Sequence, residues 1–542
     1  MSKPGIQDRT VADVFVDQLV AWGVRFVYGI PGGSILAFAE AVERSDKLQH
    51  ILVRQESTAA FMASAYGKLT GRLGVCYAIT GAGATNLITG LADAAWDHSP
   101  VLAVTGQVRH DVVGTDAFQE IDQYELFSSL TVYNEMLQSA EQTPELLMRA
   151  MRTALVRRGV AHIGLPRDLQ SQECSAAVRP MGDLVPQSGP APPDAIRRAA
   201  EVITKASRPV ILAGRDAWDA CDELAQLSHL IHAPVATTPA AKGVYDENDL
   251  HALGVLGRQG LPCSIEVFRQ ADLAILIGAD IAEQGLIPDV PTVQIIPNAL
   301  GLAEDLPIAA SLEGDIALTL REMMERIQQT DRGDWDMRAE IQRAQCYVRS
   351  QDAVRWAAGR VHPREVIEAL GKVLADDAVV AVDTGDVTYW YMQYFRAARQ
   401  RTLMSAHLAS MGIALPGALA AQLEYPDRQC LAICGDGGLG MAMADFTTAV
   451  KYQLPITVLL LNNNAYLRVT GEALEADLPP MVHSLVNPDF AGFAIGCGGY
   501  GIRVTHSGDL EDALRDALTS ERPSLVEVLT DPEVLATPTL QT

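Results

Sequence analysis

Short apolar runs alternate with longer amphipathic stretches along almost the whole chain. Runs this short, bounded by glycine, proline or polar clusters, predict buried strands, and the stretches between them predict helices. In the first third, strands are expected at Val24–Tyr28, Ile51–Val53, Val75–Ile79, Val101–Val104 and Val160–Leu165, with helices such as Thr58–Leu69 and Thr85–Ala95 between them. Pro180, Pro186, Pro190, Pro192 and Pro193 then break the alternation and predict a linker. A second set of strands is expected at Val210–Ala213, Val235–Thr238, Leu273–Ile277 and Val293–Ile296, closing with a helix around Ile316–Ile327. The polar segment Gln328–Asp334 marks another boundary. A third set starts near His362, with strands at Val379–Val382, Gln429–Cys434, Ile456–Leu461 and Ser524–Val528. Alternation of this kind predicts the α/β class with parallel sheets, in three doubly wound domains at residues 1–184, 190–330 and 355–535.

Composition agrees and removes several function classes. A chain of 542 residues has room for about three domains of roughly 100–200 residues each. Its 48% apolar and 20% charged content excludes disorder and coiled coil. Lys+Arg total 42 against 67 Asp+Glu, a formal charge of −25 that repels nucleic acid and anionic membranes, so neither is expected as a partner. No apolar run approaches the roughly 20 residues that span a bilayer, and the N-terminus lacks a signal-peptide pattern. Eight cysteines lie scattered without a CxxC pair; Cys430 and Cys434 share one expected strand with no second pair to complete a metal site. Free thiols in the cytoplasm are the expectation.

The strongest chemical signal lies in the third set, in LAICGDGGLGMAMADF (Leu431–Phe446). Gly435, Gly437 and Gly440 between a strand and a helix read literally as a dinucleotide fingerprint. Two features argue against it. Asp436 stands inside the turn where a pyrophosphate must meet bare backbone, and the next strand ends in Asn462, Asn463 and Asn464 where a ribose-holding acid is expected. A carboxylate beside a diphosphate makes sense with a hard cation between them, and Mg²⁺ takes oxygen ligands and bridges carboxylates to phosphates. Asp436, the Asn463 side-chain carbonyl and the Ala465 backbone carbonyl are the expected donors. A helix beginning near Leu439 turns its partly positive N-terminus to the diphosphate. The plainer alternative is a tight turn followed by a polar strand end.

GDGG followed, after a helix and a strand, by NN resembles the thiamine-diphosphate (ThDP) signature of the 2-oxo-acid decarboxylase superfamily. The resemblance covers nearly the whole chain and points most strongly to acetolactate synthase and pyruvate oxidase. YGIPGGSIL (Tyr28–Leu36), RQESTAA (Arg54–Ala60), TGAGATN (Thr80–Asn86), TGQV (Thr105–Val108) and GTDAFQE (Gly114–Glu120) resemble acetolactate synthase. CGDGGLGMAMADF and the tail from Asn487 to Val528 look more like pyruvate oxidase. The resemblance implies that Glu56 bonds N1′ of the cofactor's aminopyrimidine and starts the proton relay to C2. It implies that Met411 wedges between the two rings and that the Ala409 carbonyl accepts from the 4′-amino group. Gly385 and Asp386, in DTGD, and Gly435, Asp436, Gly437 and Gly438 would meet the diphosphate, with Asp436, Asn463 and Ala465 on Mg²⁺. Gln119 would face the reacting carbon with Phe118 lining the same pocket, and His407 would bond substrate or product. Each also has a plainer reading: a first-turn glutamate, a core methionine, a solvated glutamine, helix caps, a structural histidine.

The family pattern implies sites at a subunit interface, hence a homodimer or homotetramer, because the first and third domains there come from different subunits. Three departures qualify it. Glu472 stands where acetolactate synthases carry a tryptophan in the second-substrate pocket. Arg468 replaces an apolar residue, and reads either as a grip for a carboxylate, sulfonate or phosphonate or as a solvated surface charge. In the middle domain, Pro297 and Asn298 occupy the place of the acid near a flavin's adenosine, and Ile277–Gly285 keeps Gly278 and Asp280 but matches a flavin loop only loosely. FAD is therefore left open, not implied. The chain stops at Thr542 without the membrane-binding tail of quinone-linked oxidases. The leading expectation is a ThDP- and Mg²⁺-dependent enzyme that decarboxylates a pyruvate-like 2-oxo acid and joins the remainder to a second carbonyl compound. The alternatives are a FAD-dependent oxidase giving acetate or acetyl phosphate, and an enzyme acting on an acidic 2-oxo acid. A non-catalytic cofactor-binding paralogue and, weakest, a nicotinamide dehydrogenase stay open beside them.

Overall fold

Three six-stranded sheets, all of them parallel, carry the described part of the chain. The computed structural model describes residues 9–185, 188–279, 285–298, 301, 303, 305–328, 332–335, 360–479 and 484–536. Pro186 of the expected linker, residues 329–331 of the second boundary, Asp280 of the flavin-like loop and the expected domain limits at 330 and 355 lie outside them. Helices cover both faces of the sheets, so the fold is α/β and doubly wound.

In the first sheet, β1 (Phe26–Gly29), β2 (Gln49–Leu52), β3 (Gly74–Ala78), β4 (Val101–Gln107), β5 (Thr131–Met136) and β6 (Val160–Pro166) lie in the order β2-β1-β3-β4-β6-β5. In the second, β7 (Pro209–Ala213), β8 (Val235–Thr237), β9 (Ala252–Val255), β10 (Leu273–Ile277), β11 (Thr292–Ile296) and β12 (Ile308–Glu313) lie in the order β12-β11-β10-β7-β8-β9. The third sheet orders β13 (Val379–Val382), β14 (Arg401–Leu403), β15 (Cys430–Gly435), β16 (Thr457–Asn462), β17 (Tyr500–Val504) and β18 (Ser524–Leu529) as β14-β13-β15-β16-β18-β17. Renumbered within each sheet, the first and third share the order 2-1-3-4-6-5. The middle one has 3-2-1-4-5-6, the arrangement of dinucleotide-binding sheets.

Side-chain alternation explains the layering. On β7, Ile211 and Ala213 join one apolar cluster while Val210 and Leu212 join the other, and β10 divides in the same way. A strand sandwiched between two helical layers is apolar at most positions, which is why these runs stood out in the sequence. The helix Pro193–Lys205 shows the matching pattern: Ile196, Ala199, Ala200 and Ile203 face the core at helical spacing. The helix Glu56–Thr70 is different, buried from Thr58 to Leu69. Its alanines let neighbours approach closely, and Gly90 on the helix Ile88–Trp96 lies where a Cβ would come within 2.6 Å of Ala60.

The described residues fall into two compact units. One holds residues 9–185 with 405–427 and 439–456, and so the first sheet; the other holds the second and third sheets. Two sequence expectations change here. The helix after β15 begins at Asp436, not near Leu439, so the acid is the first helical residue. The helix expected to reach Ile327 ends at Met324. Among the described residues, no helix is long and apolar enough to cross a membrane.

Candidate active site

The residues picked out in the first unit gather at the C-terminal ends of its strands. Glu56 opens its helix after Gln55, an N-cap in extended backbone without a side-chain cap bond, so the helix start is left to other partners. The Glu56 carboxylate accepts a hydrogen bond from Asn86 Nδ2 at 2.9 Å, and its other oxygen lies beside Gly83, where a Cβ would stand 3.2 Å away. Gln119 follows β4 with φ +67°, a left-handed conformation costly for a side chain. It is held through its backbone: the Thr80 hydroxyl reaches its carbonyl at 3.2 Å, and Gly81, itself at φ +69°, allows that approach. Phe118 is 89% exposed, so within this chain it lines no pocket.

Behind Gln119 runs a buried polar chain. Gln123 donates to the Gly106 carbonyl at 2.7 Å and to Thr80 Oγ1 at 3.2 Å, and its own carbonyl lies 2.8 Å from Thr105 Oγ1. Thr105 also meets His162 Nε2 at 2.7 Å, and Asn134 of β5 meets His162 Nδ1 at 2.7 Å. Burial drives His162 down to about 3, so the ring is neutral.

The segment 405–411 belongs to the same unit. Asp97, wholly buried against Lys68, accepts the backbone N–H groups of Ala406 and His407 at 3.0 Å each, and pairs with His407 Nδ1 at 2.9 Å. The His407 ring is therefore an anchor of its loop. Two residues on, Ala409 stands at φ +52°, exposed, with the Ser410 N–H bonded to Ser405 Oγ at 2.9 Å. Met411 is half-buried just before the helix Ala414–Glu424.

The second unit gathers the remaining residues. Asp436 is 3% exposed; burial raises its carboxyl above the ordinary range, opposed by hydrogen bonds from Asn487 and from the Gly437, Asp436 and Ala465 amides. Asn487 Nδ2 donates to Asp436 at 2.7 Å and also lies 3.0 Å from Asn462 Oδ1 and 3.3 Å from Asn464 Oδ1. Asn464 turns left-handed at φ +57°, and the Asn463 side-chain carbonyl accepts the Ala465 N–H at 3.0 Å. Asp436, Asn463 and Ala465 are thus drawn together, with oxygen as the only kind of donor. A buried carboxylate linked through the Ala465 N–H to the Asn463 side-chain oxygen offers donors that suit a hard divalent cation, so the residues fit Mg²⁺.

Glycines shape the rest. Gly385, at φ +143°, precedes the helix Asp386–Tyr394 with no side-chain cap and open space where a Cβ would point. Gly435 is equally open, and Gly438 sits where a Cβ would stand 2.6 Å from the Asp383 carboxylate. These bare backbones leave a diphosphate room to approach. Asp386 turns away to bond the Trp390 indole and the Ala536 amide; burial lifts it to about 6.

Arg468 is not the solvated surface charge that one sequence reading allowed. Its side chain is 12% exposed, pairs with Glu475 and Glu472 of its own helix, and stacks its guanidinium 4.9 Å above the Tyr389 ring. It is neither solvated nor free of partners, although its Nη1 is buried with no hydrogen-bond partner among the described residues. At the end of β11, Pro297 and Asn298 leave no carboxylate to hold a ribose, so no flavin step is assigned. Asn86, Asp97, Thr80 and Asn487 were not foreseen as site residues. Asn86 sits inside a quoted motif, whereas Asp97 and Asn487 carry no spacing signal.

Comparison with known proteins finds three matching domains and full-length relatives. Residues 9–126 match the N-terminal TPP binding domain of thiamine pyrophosphate enzymes, 196–323 their central domain and 383–528 their C-terminal TPP binding domain. A thiamine pyrophosphate-containing protein of Bacillus subtilis is 38% identical over 96% of this chain and 92% of its own length. The acetolactate synthase isozyme 1 large subunit of Escherichia coli is 30% identical over 97% of this chain and 94% of its own. A pyruvate oxidase of Lactiplantibacillus plantarum is 30% identical over 94% and 87%.

Proposed function

The chain belongs to the thiamine pyrophosphate enzyme family, and from that premise we propose that it is an acetolactate synthase-like carboligase. It decarboxylates a pyruvate-like 2-oxo acid and joins the retained fragment to a second carbonyl compound. Two observations carry the reading: a Glu56 carboxylate steered by Asn86, and a buried Asp436 carboxylate linked to the Asn463 side-chain oxygen through the Ala465 N–H.

When bound, thiamine diphosphate supplies the carbon nucleophile for the 2-oxo acid and the electron sink for loss of CO₂. The protein's work lies around it. Glu56 holds and passes a proton at the aminopyrimidine, and Asn86 fixes which oxygen does so. The Ala409 carbonyl accepts from the amino group, and its left-handed backbone is the strained kind found at functional turns. Met411 fills the space between the two rings. Asp436, Asn463 and Ala465 would hold Mg²⁺ beside the diphosphate, and Gln119 would face the reacting carbon. His407 acts by fixing its loop on Asp97. Sites of this kind join two subunits in a homodimer or homotetramer.

One observation favours a second reading. The buried Nη1 of Arg468, without a hydrogen-bond partner among the described residues, suits an acidic 2-oxo acid whose second carboxylate it would receive. Incubation with thiamine diphosphate, Mg²⁺ and pyruvate, with products identified by proton NMR, tests both. Acetolactate is the expected product. Acetate or acetyl phosphate would transfer the assignment to an oxidase. Untouched pyruvate, with turnover of a dicarboxylic 2-oxo acid that Arg468→Leu abolishes, would establish the second reading.

A further inference from the structure

In the middle domain, away from every residue assigned above, three side chains of metal-ligating type converge. His229 stands in the last turn of the helix Cys221–Leu230, and Asp249 and His251 flank one residue just before β9. Their ligand atoms all lie within 4.8 Å of one another. His229 Nε2 is 2.9 Å from Asp249 Oδ2, and the two imidazole rings lie 4.7 Å apart, tilted by 35°. Two ligand atoms bonded to one ion at about 2.1 Å in a tetrahedral arrangement stand roughly 3.4 Å apart. The hydrogen-bonded His229–Asp249 pair lies within about 0.5 Å of that spacing, and the remaining separations stay within 4.8 Å.

The surroundings prepare two of the three groups. Ser228 has one hydroxyl proton, which it donates to the Ala233 carbonyl at 2.8 Å. Tyr245 donates its own to Asp249 Oδ1 at 2.8 Å, and burial keeps that phenol neutral. His251 Nδ1, 2.9 Å from Ser228 Oγ, must therefore be the donor of that bond. This fixes the neutral ring as the Nδ1–H tautomer and makes Nε2 its basic nitrogen. Metal-bound histidines are oriented by a partner of this kind on the other nitrogen. Asp249 is oriented as well: its Oδ1 accepts the His251 amide and the Tyr245 hydroxyl at 2.8 Å each, which leaves Oδ2 turned to His229.

We propose that His229, Asp249 and His251 bind a divalent transition-metal ion of the zinc class, clamping the helix end to the segment that enters β9. Two imidazoles and one carboxylate select such an ion over Mg²⁺ or Ca²⁺, which take oxygen shells. The site is independent of the thiamine chemistry.

The test is calorimetric titration of the full chain, saturated with thiamine diphosphate and excess Mg²⁺, with Zn²⁺ alone. The expected result is one Zn²⁺ per chain at low-micromolar affinity with a raised melting temperature. His229→Ala alters an exposed ring and keeps the fold; it should weaken that binding by about 100-fold or more and abolish the thermal shift. Ser228→Ala should weaken it about 10-fold through loss of the tautomer lock. Zn²⁺ bound equally well by His229→Ala, or no Zn²⁺ bound by the wild-type chain, would overturn the proposal.

Discussion

Glu56 and His162 show how one side chain's setting decides its chemistry. Among the described residues Glu56 has one side-chain hydrogen-bond partner, Asn86, at a helix start without a side-chain cap. Replacing its carboxyl by an amide preserves shape and that hydrogen bond but removes the group that holds the proton. Glu56→Gln should slow exchange of the cofactor's C2 proton by about 100-fold or more while Mg²⁺-dependent cofactor binding changes little. Exchange at the wild-type rate would remove Glu56 from the proposed role. His162 is the opposite case, sealed between Thr105 and Asn134 and held near 3 against an ordinary 6.5. Its folded value is the lower one, so the unfolded chain takes up the proton first. The contribution is fully present above about pH 6.5 and drains away as the pH falls towards 3. Between pH 7.5 and 5 this amounts to about 2 kcal/mol. Urea unfolding at both pH values should show His162→Gln with a shallower loss; an identical slope would put the acid sensitivity elsewhere.

At the scale of elements, the site depends on loops tied together after the strands end. Asn487 lies outside the expected glycine-rich turn and asparagine pair, yet it meets Asp436, Asn462 and Asn464 with one amide nitrogen. Asn487→Ala should lower Mg²⁺ affinity, measured in the presence of thiamine diphosphate, by about 10- to 100-fold while leaving the melting temperature near wild type. Unchanged affinity would show that the Asp436 turn orients itself. The same distinction explains what could be read in the sequence. Every interior strand was legible because it is apolar on both faces. β5, β9, β12, β14 and β17 were missed, and each is a sheet edge. β5 is exposed or half-buried throughout, and β12 alternates, so neither offers an unbroken apolar run. Among site residues, those in glycine-rich turns were legible because backbone shape demands particular residues there. Asp97 and Asn487 were not, since a hydrogen bond across the fold leaves no local pattern.

For the whole molecule, the shared strand order of the first and third sheets matters more than their sequences, which show no repeat. Both present their candidate residues beyond the C-terminal ends of parallel strands, where α/β folds bind ligands. Glu56 follows β2 and Gln119 follows β4, while Asp436 follows β15 and Asn463 follows β16. On the proposed function each sheet would offer half of a cofactor site. If the two halves are joined across subunits, as proposed, defects in opposite halves must complement. A dimer of a Glu56→Gln subunit with an Asp436→Ala subunit has one site with both defects and one with neither. Mixing the two inactive proteins in equal amounts, unfolding and refolding them together, should restore about a quarter of wild-type activity, because half the dimers are mixed and each has one intact site. If both halves of a site came from one chain, every site in the mixture would carry a defect and activity would stay at the level of the separate variants. Recovery therefore reports the assembly and the division of labour between the two sheets in one measurement, and each variant refolded alone supplies the baseline.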